Sequence, residues 1–371
     1  MASRRGPDIA EAAAMSPGIP IPLRVTPMDD EPITTPAPVA ADVYGPDLRE
    51  FLGDDEPDDD GSEWLVKGLV AAEAPGVITG PPKAWKSLLM LHLAICIASG
   101  RKVFDRFDVR QGRVLVLERE DTIREARRRL WRIARGMGID PRELHESLRV
   151  DVAKPFYFDE PDDMTRLRRT LDAWSASAVF VDSLRRVHRG DENSSRDMQT
   201  VTTAWADLCT TYRVAIVALH HNRKAGAAGD VASAGERMRG TGDLFALVRH
   251  LLSVESKKKE RIAVVTADGN LAGLPEPFAL SLSDGETESG KLTLHLDYEG
   301  DATAHEEDAI EQAVLKALQE HGELGARELR EAVKQKVTLV DAAARRLSKR
   351  NIIDRLTKRS PWRIVGGSTP K

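Results

Sequence analysis

From about residue 64 the chain alternates short apolar runs with segments whose apolar residues recur every three or four positions. The first pattern predicts buried strands and the second predicts amphipathic helices. Gly76-Val77-Ile78-Thr79 is a strand within Pro75–Thr79, followed by a helix from Lys86 to Ser99 that Gly100 closes. Arg113 to Glu118 is a strand, Thr122 to Gly136 a very basic amphipathic helix, Leu148 to Val152 a strand and Pro161 to Ser175 a helix. Ala178 to Asp182 is a strand, Arg196 to Tyr212 a helix, and Val214 to Leu219 a strand ending in His220-His221. Strands then dominate, at Leu247–Glu255, Arg261–Thr266 and Lys291–Leu296. Alternation of this kind predicts an α/β fold, a mostly parallel sheet covered by helices.

The pattern changes after Glu299–Asp308, which reads as an acidic hinge. Helices are predicted over Ala309–His321, Gly325–Val333 and Thr338–Arg350, with Leu339, Ala343 and Leu347 at one-turn spacing. Two short apolar segments follow, Ile352–Leu356 and Pro361–Val365. Three helices and a ribbon in this order match a small C-terminal winged helix-turn-helix domain over 305–366. A core domain is expected over 61–300. No internal repeat is visible.

Composition adds the remaining segment. Residues 1–60 hold 10 of the 20 prolines and the acidic run Asp54-Asp55-Glu56-Pro57-Asp58-Asp59-Asp60. Such a stretch cannot bury enough apolar surface to offset chain entropy, so a disordered acidic arm is expected. Residues 1–63 carry 15 acidic and 4 basic side chains, and residues 326–371 carry 13 basic and 4 acidic. A basic tail predicts a polyanionic partner. Two distant cysteines, Cys96 and Cys209, exclude a disulfide framework and a zinc pattern. The longest apolar run, Leu88 to Ala98, is too short to span a bilayer, so no membrane contact and a cytoplasmic location are expected.

The chemistry begins at Gly80-Pro81-Pro82-Lys83-Ala84-Trp85-Lys86-Ser87, between a strand and an apolar helix. Phosphate oxygens need backbone N–H donors and a positive charge, and a loop entering a helix supplies both. This is the Walker A setting for ATP with Mg²⁺. Lys86 is expected on the β and γ phosphates, and Ser87 on Mg²⁺ through its hydroxyl. Trp85 stands where the motif has its last glycine; it is expected to point outward in a restricted backbone. Pro81 and Pro82 lack N–H donors, for which the charge of Lys83 compensates.

Asp182, after four apolar residues, fits the acid near Mg²⁺. A carboxylate polarising water is expected at the strand tip after Leu117, with Glu120 or Asp121 as candidates and Glu118 as the nearer alternative. One of His220 and His221 caps the next strand within reach of the γ-phosphate.

Together the segments Gly80–Ser87, Val114–Asp121, Val181–Asn193 and His220-His221-Asn222-Arg223-Lys224 resemble the RepA-like AAA family ATPases. These are plasmid- and phage-type relatives of hexameric RecA-fold replicative helicases. The resemblance covers residues 64 to about 296. It implies a RecA-like P-loop core that forms a homo-oligomeric ring, hydrolyses ATP between subunits and acts on DNA. It places Glu120 as the catalytic glutamate, Asp182 as the Walker B aspartate and His220 as the sensor. It also implies a trans-acting cation, Arg239 or Lys257.

On the third predicted tail helix, Arg345, Arg346, Lys349 and Arg350 lie on and beside one face, and Lys358 and Arg359 sit in the wing. These groups suit the DNA backbone more than base edges. The expectation is therefore a DNA-associated ring ATPase of mobile-element replication or recombination. The alternative is a weakly hydrolysing, ATP-dependent DNA-binding regulator.

Overall fold

The computed structural model describes residues 63–152, 154–221, 242–257, 261–355, 357 and 360–365; the acidic arm lies outside these. Among the described residues nine strands form one sheet. In chain order they are β3 (Pro75–Gly80), β4 (Val114–Glu118), β5 (Leu148–Asp151), β6 (Ala178–Asp182), β7 (Ala215–His221), β8 (His250–Lys257), β9 (Ile262–Gly269), β10 (Phe278–Glu286) and β11 (Leu292–Asp301). A separate ribbon pairs β1 (Trp64–Val66) with β2 (Val70–Ala71). The sheet order is β11-β10-β9-β8-β3-β7-β6-β4-β5. From β8 to β5 neighbouring strands are parallel, and β9 to β11 extend the sheet antiparallel.

The parallel strands are apolar on both faces because helices cover both. Successive residues go to opposite sides. Ile78, Val116, Phe180 and Val217 join the core with helix α1 (Lys86–Ser99) and helix α2 (Ile123–Gly136). Val77, Leu117, Val181 and Ala218 join the core with helix α3 (Pro161–Trp174) and helix α4 (Ser195–Tyr212). Helix α1 is apolar nearly all round, with eleven buried residues, which suits a helix sunk between the sheet and its neighbours. Helix α2 buries Ala126, Ile133 and Ala134 and turns its arginines outward.

Three expectations change here. A short helix, α5 (Gly242–Leu247), precedes β8, so the strand begins at His250 rather than Leu247. Strand β10 is a further difference; its second half, from Ser281 to Glu286, has Leu282 as its single apolar residue, is exposed from Ser283 on and so lacks an apolar stripe. The acidic hinge is absent. Strand β11 runs to Asp301, and helix α6 (Ala302–His321) starts at the next residue. Asp301 caps that helix by accepting from the Ala304 amide at 2.9 Å, and the Ala302 amide donates to the Pro277 carbonyl at 2.9 Å.

Helix α6 packs with α7 (Ala326–Val333), α8 (Val337–Lys349) and the ribbon of β12 (Ile353–Asp354) and β13 (Arg363–Ile364). Ile310, Val314, Leu329, Val340, Leu347 and Trp362 fill a core of their own.

Candidate nucleotide site

The C-terminal ends of β3, β4, β6 and β7 converge on one cavity of about 610 Å³, lined by Lys83–Leu88, Glu120, Arg129, Asp182, Ser183, Leu219 and His221. Parallel strand ends of this kind are where open α/β sheets bind ligands. Strand β3 delivers the loop. At Gly80 (φ 154°) a Cβ would lie 2.3 Å from the Val254 carbonyl oxygen of β8, so only glycine fits. Lys83 (φ 64°) and Trp85 (φ 67°) turn the chain into α1.

Trp85 departs from the expectation. Its indole is half-buried, packs on the α1 side of the core and lines the cavity instead of pointing outward. The apolar ring gains more by leaving water than by projecting into it. The residue still carries the left-handed strain that glycine avoids, about 1–2 kcal/mol.

Lys86 is folded back into its own loop. Its ammonium donates to the carbonyls of Gly80 at 2.9 Å and Pro81 at 3.0 Å, and lies 3.3 Å from His221 Nδ1. Burial lowers its pKa, against the opposing pull of Asp182 and Glu120.

Strands β4 and β6 bring Glu118 opposite Asp182. Both are buried. Burial, then the charge of Glu118, pushes the Asp182 carboxyl up to about 7, while a hydrogen bond from the Ser87 hydroxyl pulls it down. Glu118 is raised by burial too, although its Oε1 accepts from the amides of Glu120 at 2.9 Å and Asp121 at 3.0 Å. Glu118 thus holds the turn that presents Glu120. The Ser183 hydroxyl donates to Glu120 Oε1 at 2.6 Å; the Asp182–Ser183 peptide bond is cis. Asp121 pairs with Arg129 at 2.8 Å. Of the three carboxylates considered at this tip, only Glu120 lines the cavity.

His220 does not reach the cavity. It pairs with Thr79 in the sheet register, while His221 pairs with Gly80 at the loop. Side chains alternate along β7, so Leu219 and His221 face the loop and His220 faces the other side. There it is buried, with its pKa lowered to about 4 chiefly by burial, near Glu192 and His188. His188 Nε2 lies 3.6 Å from Glu192. Sequence reasoning missed Ser183 and Arg129. Ser183 adjoins Asp182, but nothing in the sequence marks its hydroxyl as a partner of Glu120. Arg129 is one arginine among many on α2.

Other expected site residues are not gathered here. Arg239, Lys358 and Arg359 lie outside the described residues, as does the side chain of Lys257. On α8, Arg346 donates to Glu311 at 2.7 Å and Glu307 at 2.8 Å, and Arg350 pairs with Glu311. Those two arginines are engaged by α6, although Arg350 is still exposed. The one-turn spacing explains it: positions 346 and 350 share a face that 345 and 349 flank. Arg345 and Lys349 are exposed.

Residues 48–227 match a protein-family model described as an AAA domain. The match supports an AAA/P-loop ATPase family. It spans the loop, Glu120, Asp182 and both strand-end histidines, and stops before β8. It suggests a nucleotide-binding ATPase domain over the matched residues. No helix among the described residues is long and apolar enough to cross a membrane.

Proposed function

We propose that the chain is a DNA-associated, ring-forming ATPase of RepA-like, RecA-fold type, acting in mobile-element replication or recombination. One observation carries the ATPase reading: Lys86, Ser87, Asp182 and Glu120 line a single cavity at the ends of adjacent parallel strands. Lys86 would leave the Gly80 and Pro81 carbonyls for the β and γ phosphates of ATP. Glu120, held by Ser183, orients a water and takes its proton as the water attacks.

The residues fit Mg²⁺. The Ser87 hydroxyl and the Asp182 carboxylate are hard oxygen donors already in contact. Among the described residues no group of three or more His, Cys, Asp or Glu side chains can hold a metal, so phosphate oxygens would complete the shell. The ion would neutralise developing charge on the phosphates.

The DNA reading rests on the order α6, α7, α8, β12, β13, which fits a winged helix, and on exposed Arg345 and Lys349. The regulator reading draws on the loop itself: two prolines, Trp85 and a lysine satisfied by its own loop.

Steady-state ATP hydrolysis with and without single-stranded DNA tests the choice. Turnover stimulated by DNA and reduced at least ~100-fold in Glu120→Gln, with ATP binding retained, is expected. Binding without turnover, indifferent to that substitution, would sink the enzyme reading. Mass measurement with and without nucleotide tests the ring.

A further inference from the structure

Helix α2 carries charge that the ATPase site does not use. Arg124, Arg127, Arg128, Arg132 and Arg135, with Lys291 of the β10–β11 connection, line a groove of about 640 Å³ between α2 and the start of β11. No acidic side chain lines it. Among the described residues none of the five arginines forms an ion pair, although arginines elsewhere on the surface do. Two carboxylates within electrostatic reach, Glu125 of Arg128 and Asp140 of Arg135, are engaged by other partners. Glu125 completes the capping box with Thr122, and Asp140 is bound by Arg142.

Three apolar side chains, Ile123, Trp131 and Leu292, line the groove among the cations. Trp131 lies there with Arg135 stacked 4.6 Å from its ring. Ile123 and Leu292, 54% and 47% exposed, flank it and are two of four large apolar residues left so open among the described residues. The walls are fixed. A Cβ on Gly136 would lie 2.2 Å from the Leu294 carbonyl oxygen, so α2 meets β11 at backbone distance.

We propose that this groove binds the phosphodiester backbone of a single nucleic-acid strand. Unpaired guanidinium groups suit phosphate, which they grip through two parallel hydrogen bonds. From Arg124 to Arg135 the helix rises ~16 Å, room for several successive phosphates. Aromatic and aliphatic groups between the cations suit unstacked bases, whose faces a duplex conceals. An acidic protein segment would use the charge and leave Ile123, Trp131 and Leu292 without a role. The proposal deepens the DNA-associated reading by placing a strand on the ATPase segment itself, independent of the tail.

The test uses the full chain and a fluorescent thymidine oligomer of about twenty nucleotides, followed by anisotropy across a salt series. Arg124→Gln/Arg127→Gln/Arg128→Gln alters three exposed helix positions. Its melting temperature and its affinity for a fluorescent ATP analogue are expected to match the parent chain. Its oligomer affinity should fall at least ~10-fold, and the log–log salt slope should flatten by about 2, at ~0.7 per lost phosphate contact. Trp131→Ala should weaken the oligomer further without changing the slope. Parental affinity in the triple variant would overturn the proposal. So would polyglutamate that displaces the oligomer at equal charge, or duplex bound more tightly than single strand. Arg345→Gln/Lys349→Gln is run alongside: loss there alone overturns the groove and keeps the tail, whereas loss in the groove variant alone supports the groove and removes the tail. DNA-independent ATP turnover would defeat the coupled-ATPase reading and leave the groove affinity measurable.

Discussion

Buried imidazoles set the acid limit of this molecule. Burial lowers His92 to about 3 and His220 and His250 to about 4. In the unfolded chain each takes a proton near its ordinary pKa of ~6.5. Their contribution to stability is therefore present above ~6.5 and is lost as pH falls toward 4, by up to about 1.4 kcal/mol per pH unit for each group. Melting temperature should drop steadily from pH 7 to pH 5. His92 stacks on Phe104 at 4.5 Å, and neither ring nitrogen has a hydrogen-bond partner. His92→Phe should keep the packing and flatten that drop; an unchanged pH slope would show that His92 charges without cost. Trp85 poses an opposite balance. Trp85→Gly relieves about 1–2 kcal/mol of left-handed strain but forfeits the packing of a half-buried indole, worth roughly 2–3 kcal/mol. A net loss of about 1 kcal/mol is expected in thermal melts, with tighter binding of a fluorescent ATP analogue as the loop gains freedom. Weaker binding would mark the indole as part of the nucleotide surface.

Among the elements, α2 is fixed at both ends. Thr122 and Glu125 close its capping box, and Gly136 ends it against β11. Gly136→Ala would force the helix off the strand, because a backbone oxygen cannot yield as a side chain can; a loss of about 2 kcal/mol or more is expected by denaturant titration. The elements were legible in proportion to how one-sided their patterns are. Lys86–Ser99 and Ala178–Asp182 match the sequence reading to the residue, since a largely apolar run closed by Gly100 or by Asp182 admits one interpretation. Within the site, a lone carboxylate after an apolar run marks Asp182, whereas Glu120 shares its strand tip with Glu118 and Asp121 and only the family resemblance singles it out. The site was not legible where a face had to be chosen. Adjacent histidines differ only in which side of β7 they take, and that depends on register with β3, a partner 140 residues away in sequence that the local pattern does not report. That Arg346 and Arg350 pair with acids of α6 is a tertiary fact of the same kind.

For the whole molecule, the passage from the sheet to the tail matters most. Strand β11 enters α6 without an intervening residue, and the Ala302 amide is bound to the Pro277 carbonyl. Limited proteolysis should therefore spare 299–308; an early cut there, releasing an intact tail fragment, would contradict the continuous junction. Helix α2 gives the molecule a further property. It leaves the turn that holds Glu120, turns Arg129 toward the nucleotide cavity and turns Arg128 toward the outer groove. Neighbouring residues of one rigid helix thus belong to two sites. Any nucleotide-driven tilt of that helix must alter affinity in the groove, and by thermodynamic reciprocity a ligand in the groove must alter nucleotide affinity by the same factor. The measured ratio would be the coupling between the two sites, obtainable from either end.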